Sequence, residues 1–274
     1  VTSTPLVELH TGSLGGWVRP GGTQRALLLH GGPAIGFEYL DDVLTELDGW
    51  TVASFQQRGL PPSTTDGPFD IATALTDIAA VLDELGWDDG TYLIGHSWGG
   101  HLALHAARSL AARLAGVLAV DPIGVIGDGG NQVFEDELMR RTPPSDRARV
   151  EEIGDTDDDE LADEALRLLW PSYFADRESA PPYKSLPMSQ AAFFGLFRDT
   201  EELRPELEAA LPSLTVPLGI VMGAGSPIPR SAGAEVVDRV PGAWLEVVPN
   251  AGHFVWLEAP GAVRRALDRL AVPQ

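Results

Sequence analysis

The five residues Gly95-His96-Ser97-Trp98-Gly99 constrain this chain more tightly than any other stretch. They follow Thr91-Tyr92-Leu93-Ile94, which reads as a short buried strand, and they lead into the helix-favouring run Leu102 to Leu114. Glycines two positions before and two after a serine suit a bend so sharp that neighbouring backbone leaves no room for side chains. A strand-turn-helix unit of this kind lifts the serine hydroxyl clear of the sheet edge. A plain structural turn is the competing reading, and the flanking strand and helix weigh against it.

The rest of the chain supplies a matching frame. Further buried-strand patterns run from Ala26 to Leu29, Thr51 to Phe55, Gly116 to Val120, Pro217 to Met222 and Trp244 to Val248. Between them, Leu75, Ile78, Val81, Leu82 and Leu85 recur at helical spacing within Ile71 to Leu85, and helices are expected around Ala232 to Val240 and from Pro260 to Leu270. Strands alternating with helices predict a mostly parallel sheet with helices on both faces, an α/β fold. From Asn131 to Leu211 the strand signal disappears. Helical patterns such as Leu161 to Trp170 are broken there by Pro143-Pro144 and Pro181-Pro182. The expected organisation is a core of residues 1–130 and 212–274 carrying an inserted helical cap, residues 131–211. No internal repeat is evident.

Composition removes several function classes. The 274 residues include no cysteine, so disulfides, thiolate catalysis and Cys-based metal sites are excluded together. A formal net charge of −21 opposes binding to phosphate backbones and anionic lipid, so no nucleic-acid partner is expected. No apolar run reaches the ~18 residues that a membrane span needs. Residues 1–20 lack a basic start and an apolar stretch of the kind a secretory leader carries, so a cytoplasmic location is the expectation. No histidine–carboxylate cluster shows metal-ligand spacing, and neither metal nor cofactor is expected.

A serine hydroxyl is a poor nucleophile near neutrality and needs a base, which an imidazole of pKa ~6.5 can provide. Of six histidines, His253 is the candidate: Asn250-Ala251-Gly252-His253-Phe254 follows a strand and precedes the last helix. His10, His101 and His105 read as structural or surface residues, and His96 as a support of the bend. Negative charge on a tetrahedral oxygen can be stabilised by backbone N–H donors aimed at it, worth about 3 kcal/mol each. Trp98, directly after the serine, and Gly32, in His30-Gly31-Gly32-Pro33, are the candidates for this oxyanion hole.

Together His30-Gly31-Gly32-Pro33, Gln57-Arg58-Gly59, Gly95-His96-Ser97-Trp98-Gly99-Gly100 and Gly252-His253 resemble the proline iminopeptidase-like branch of the α/β-hydrolase superfamily. The resemblance covers nearly the whole chain and implies the α/β-hydrolase fold. It also implies a triad aspartate in a Gly-x-x-Asp pattern after the next-to-last strand. Here that stretch reads Met222-Gly223-Ala224-Gly225-Ser226, and a serine stands in the slot. Asp121, closing the strand that follows the Ser97 helix, is the candidate acid, with Asp128 or a cap carboxylate as alternatives. In the aminopeptidase members of the branch, acidic cap residues hold the substrate's amino group.

Three readings follow. The first is a serine hydrolase acting on an ester, lactone or amide of a small organic molecule through an acyl-Ser97 intermediate. Trp170, Tyr173, Phe174, Phe193, Phe194 and Phe197 would shape its hydrophobic cavity. The second is an aminopeptidase on short peptides. The third, suggested by Ser226, is a slow-turnover ligand sensor on the same fold.

Overall fold

The computed structural model describes residues 6–272. The leader reading of residues 1–20 and the core's outer limits therefore bear in part on residues outside this range. Eight strands form one sheet: β1 (Val7–Thr11), β2 (Leu14–Arg19), β3 (Arg25–Leu29), β4 (Thr51–Phe55), β5 (Thr91–His96), β6 (Leu114–Val120), β7 (Leu218–Gly223) and β8 (Trp244–Val248). Their spatial order is β1-β2-β4-β3-β5-β6-β7-β8. β1 and β2 pair antiparallel, β2 meets β4 antiparallel, and every pairing from β4 to β8 is parallel.

Because successive side chains of a strand point to opposite faces, the apolar runs divide between two cores. Leu27, Leu29, Leu93, Val117, Ala119 and Ile220 pack with helices α1 (Ile71–Glu84), α2 (Trp98–Ser109) and, further along the chain, α7 (Ser231–Val237). Leu28, Ile94, Leu118, Val120 and Val221 pack on the other face with the 3-10 segment Phe37–Glu46, the short α8 (Val255–Glu258) and α9 (Ala262–Ala271). This is the α/β-hydrolase fold, a mostly parallel sheet covered on both sides. Between β6 and β7 lie α3 (Asn131–Arg141), α4 (Pro144–Ile153), α5 (Asp159–Leu169) and α6 (Gln190–Ala210), with no strand among them.

Three expectations change. The helix after the serine begins at Trp98 and ends at Ser109, and Leu114 opens β6 instead of closing that helix. The helix expected to run to Val240 ends at Val237. Two strands, β1 and β2, carried no clear signal, because Gly15-Gly16 reads as a turn. A Cβ on Gly16 would lie 2.1 Å from Ser54 O, so the glycine lets two strands approach within the sheet.

Five histidines are buried: His30, His96, His101, His105 and His253. Burial lowers the pKa of each below the ordinary imidazole value, to about 4 for His30 and His105 and to about 3 for His101. An unfolded chain takes up protons near pH ~6.5 that the folded chain refuses, so acidification favours unfolding. Stability is therefore expected to hold at and above about pH 7 and to fall steadily from about pH 6.5 downward. The slope should exceed the ~1.4 kcal/mol per pH unit that a single histidine gives. Urea midpoints measured across this range check the expectation; a flat profile down to about pH 5 contradicts it.

Candidate active site

Ser97 sits at the carboxyl end of β5 with φ 56° and ψ −123°, a left-handed backbone that few non-glycine residues adopt. The crowding that makes it adopt this shape is explicit. A Cβ on Gly95 would stand 2.2 Å from Gly99 O, and one on Gly99 would stand 2.3 Å from Leu29 O. Ser97 N–H donates to Val120 O at 3.0 Å, and Gly100 N–H closes the turn onto Ser97 O at 2.9 Å. The Trp98 N–H, at the start of α2, meets no acceptor among the described residues. Its indole N–H donates to Thr200 Oγ1 at 2.9 Å, which ties the bend to α6.

Asp121 lies one residue beyond β6 and is fully buried. Its Oδ1 accepts the Gly223 N–H at 3.0 Å, and its Oδ2 stands 2.6 Å from His253 Nδ1. Oδ2 also accepts the hydroxyl of Ser226, whose own oxygen accepts the Ile228 N–H at 3.1 Å. Burial lifts the Asp121 pKa to about 8, a rise that Ser226, Gly223 and the Arg141 charge offset only in part. Burial lowers that of His253. Three donors converging on one carboxylate favour its ionised form, with the shared proton on His253 Nδ1 and the Nε2 lone pair free. Asp128, by contrast, spends its carboxylate on the Gly130 and Gln132 N–H groups at the start of α3.

Ser97 and His253 line the same cavity, and no hydrogen bond joins their side chains in this structure. Such contacts are commonly long without substrate and tighten around it. Gly32 also lines the cavity, and its N–H is free of acceptors among the described residues. The His30 ring orients that peptide: its Nδ1 donates to Gly31 O at 2.9 Å while its Nε2 accepts the Gln57 N–H at 3.0 Å. In a trans peptide the carbonyl and the next N–H point opposite ways, so holding Gly31 O turns the Gly32 N–H away from the ring. Of the other histidines, His96 is buried against His253 with ring centroids 4.4 Å apart. His101 and His105 are buried along α2 and lie outside the cavity lining, and the His10 side chain is exposed.

The cavity holds about 680 Å³ and lies between the sheet edge and the helical segment. Phe193, Phe194, Phe197 and Tyr173 line it, and Phe193 stacks on Phe197 with centroids 5.7 Å apart. Trp170 and Phe174 do not: they pack against Phe254, and the Trp170 indole donates to Pro181 O at 2.7 Å. Glu135 and Asp155 also reach the lining, and no Lys or Arg does among the described residues. Burial raises the Glu135 pKa, and so does the Asp155 charge. Sequence reasoning missed Tyr39, Phe134, Glu135 and Asp155, since nothing in their spacing separates them from a solvated helix or loop.

Among the described residues no cluster of three or more His, Cys, Asp or Glu is placed to hold a metal ion, and no helix is long and apolar enough to cross a membrane. The chain is 29% identical over 251 residues to N-formylmaleamate deformylase of Pseudomonas putida, covering 89% of this chain and 88% of that one. It is 28% identical over 274 aligned positions to the soluble epoxide hydrolase of Corynebacterium sp., with the same two coverages. Its fold matches the crystal structure of proline iminopeptidase from Mycobacterium smegmatis with a TM-score of 0.68 at 19% identity, over 97% of each chain. The model of the alpha/beta hydrolase family matches residues 26–266, and the chain belongs to that family.

Proposed function

We propose that the protein is a serine hydrolase that cleaves an ester, lactone or amide bond of a small organic molecule through an acyl-Ser97 intermediate. The observation that carries this reading is the 2.6 Å contact of buried Asp121 with Nδ1 of His253, a residue that lines the same cavity as Ser97. Ser97 Oγ attacks the carbonyl carbon as His253 Nε2 takes its proton. Charge then gathers on the former carbonyl oxygen, facing the free N–H groups of Gly32 and Trp98. His253 passes the proton to the leaving group, and the acyl-serine ester remains. Water, deprotonated by the same nitrogen, hydrolyses that ester. Asp121 holds the imidazole in the Nδ1–H tautomer and stabilises the imidazolium formed at each step. Residues 131–211 act as a cap whose aromatic inner face excludes water from this sequence.

The chemistry of serine favours acyl transfer over epoxide opening. A serine that attacked an epoxide carbon would be left as an alkyl ether, which activated water does not cleave. A serine that attacks a carbonyl is left as an ester, which it does. The cavity also narrows the substrate's charge. With Glu135 and Asp155 in the lining and no Lys or Arg there among the described residues, a free carboxylate is repelled, whereas an uncharged or cationic molecule is accepted.

The same two carboxylates support a second reading, the aminopeptidase, in which they hold a free α-amino group. The sensor reading is weakened by Ser226, because its hydroxyl donates to Asp121 and leaves a carboxylate against His253.

A fluorophosphonate is expected to modify Ser97 and no other residue, and Ser97→Ala to abolish the adduct; peptide mass mapping that finds the label elsewhere removes Ser97 from the mechanism. Asp121→Asn is expected to lower kcat on nitrophenyl esters by about 10³ to 10⁴-fold in a folded protein. Protonating the base stops turnover, so activity disappears as pH falls through the pKa of the His253–Asp121 pair. Burial lowers the value of the His253 imidazole, and the acid limb of kcat/KM is expected below about pH 6.5. Finally, turnover of proline nitroanilide in preference to nitrophenyl esters, lost in Glu135→Gln, would select the aminopeptidase; the reverse preference selects the esterase or amidase.

A further inference from the structure

Between the loop of Gly32 and the loop of His253 runs a hydrogen-bonded chain of side chains that the proposed chemistry does not use directly. The Gly31 N–H donates to Tyr39 Oη at 2.6 Å. With its oxygen receiving that proton, the Tyr39 hydroxyl donates its own to His96 Nδ1, at 2.9 Å. The His96 proton is thereby confined to Nε2, which faces the main-chain carbonyl of His253 at 3.1 Å and donates to it. His96 is buried, and burial drives its pKa well below the imidazole range, which agrees with a neutral ring acting as a fixed donor and acceptor. Its ring is wedged edge-on against Trp256 at 4.8 Å, so it has little room to turn.

We infer that Tyr39 and His96 are positioning residues, a polarised relay that sets the oxyanion loop, the Ser97 bend and the His253 loop at one mutual spacing. This rests on the serine-hydrolase reading above. Two consequences give the relay a role beyond packing. Tyr39 engages the Gly31 N–H, while the neighbouring Gly32, which lines the cavity, has an N–H with no acceptor among the described residues. His96 holds the His253 loop by its carbonyl oxygen, while Tyr173 O holds the same residue by its N–H at 2.8 Å. The backbone of His253 is thus fixed at both ends, and Asp121 fixes its ring. Only the approach of Nε2 to Ser97 remains to be set, and the relay sets it, because His96 is the residue adjoining Ser97.

The polarity of the chain makes the inference testable. Tyr39→Phe removes one oxygen and keeps the aromatic packing, but it leaves His96 Nδ1 without a donor and frees the ring to exchange tautomers. His96→Gln keeps an amide N–H where Nε2–H stands, whereas His96→Leu keeps only bulk. The experiment measures inactivation of the full chain by a fluorophosphonate, separating the limiting rate from the half-saturating concentration, alongside ¹⁵N spectra of the labelled imidazoles. Tyr39→Phe and His96→Leu are expected to lower the limiting rate about tenfold, with half-saturation unchanged. His96→Gln should recover most of the loss. In the unaltered protein His96 should show a protonated Nε2 and a bare Nδ1, a signature that Tyr39→Phe erases. Limiting rates equal to the unaltered protein's in Tyr39→Phe and His96→Leu overturn the relay, as does a His96→Gln protein no faster than His96→Leu. Should the unaltered protein itself not be modified at Ser97, the serine reading falls and the relay's role falls with it, a failure read before any variant is made.

Discussion

A carboxylate sealed from water at the end of β6 is the constraint around which this molecule is organised. Burying Asp121 is costly, and removing a partner from a buried charge costs about 3–5 kcal/mol. The fold meets that demand with a backbone N–H from the end of β7, a hydroxyl from the following loop and an imidazole from the loop after β8. Three segments are thereby drawn to one point. Arg141 of α3 reinforces the gathering from the other side, donating to the carbonyl of Gly225 at 2.6 Å and to that of Ser226 at 3.3 Å. The helical segment above the sheet and the carboxylate beneath it therefore share a hydrogen-bonded network.

Strain collects where the chemistry is proposed. Ser97 and Asp121 both have positive φ, 56° and 45°, at the carboxyl ends of neighbouring strands. Each such residue costs of order 1–3 kcal/mol and persists only where surrounding structure over-determines it. For Ser97 the determinants are the close approach of Gly95 and Gly99 to backbone oxygens and the bond to Val120 O. For Asp121 they are its N–H bond to Val221 O at 2.7 Å and the three donors on its side chain. Parallel strands expose all their carboxyl ends at one edge, which is why residues far apart in sequence can be strained toward a common space.

What could be read from the sequence was local. The parallel strands announced themselves because strands buried on both faces are apolar throughout, and the bend at Ser97 because glycine spacing encodes close backbone approach within five residues. β1 and β2 were hidden, since Gly15-Gly16 signals a turn by composition and serves as a close-packed strand by context. Asp121 and Ser226 are 105 positions apart, and no periodicity links a hydroxyl to a carboxylate over that distance. Tyr39 was equally silent: its partners, Gly31 and His96, become neighbours only once β3 and β5 pair. Among the aromatics of residues 131–211, whether a ring lines the cavity or the helical segment's own packing depends on helix rotation. Phe193 and Phe197 face inward while Trp170 and Phe174 close on Phe254.

The serine at position 226 becomes intelligible through strand order. β6 and β7 are adjacent and parallel, with Val120 opposite Val221, so the residue after β6 and the loop after β7 open onto the same few ångströms. A carboxylate delivered from either strand end can reach the imidazole that follows β8. In this chain the buried carboxylate at that edge comes from the end of β6. Once Asp121 fills the place from β6, a second carboxylate at position 226 would repel it across a hydrogen-bond distance. A hydroxyl there does the opposite: it donates to Asp121 and is itself held by the Ile228 N–H. A small neutral donor is therefore the residue this position requires when the charge arrives from the neighbouring strand.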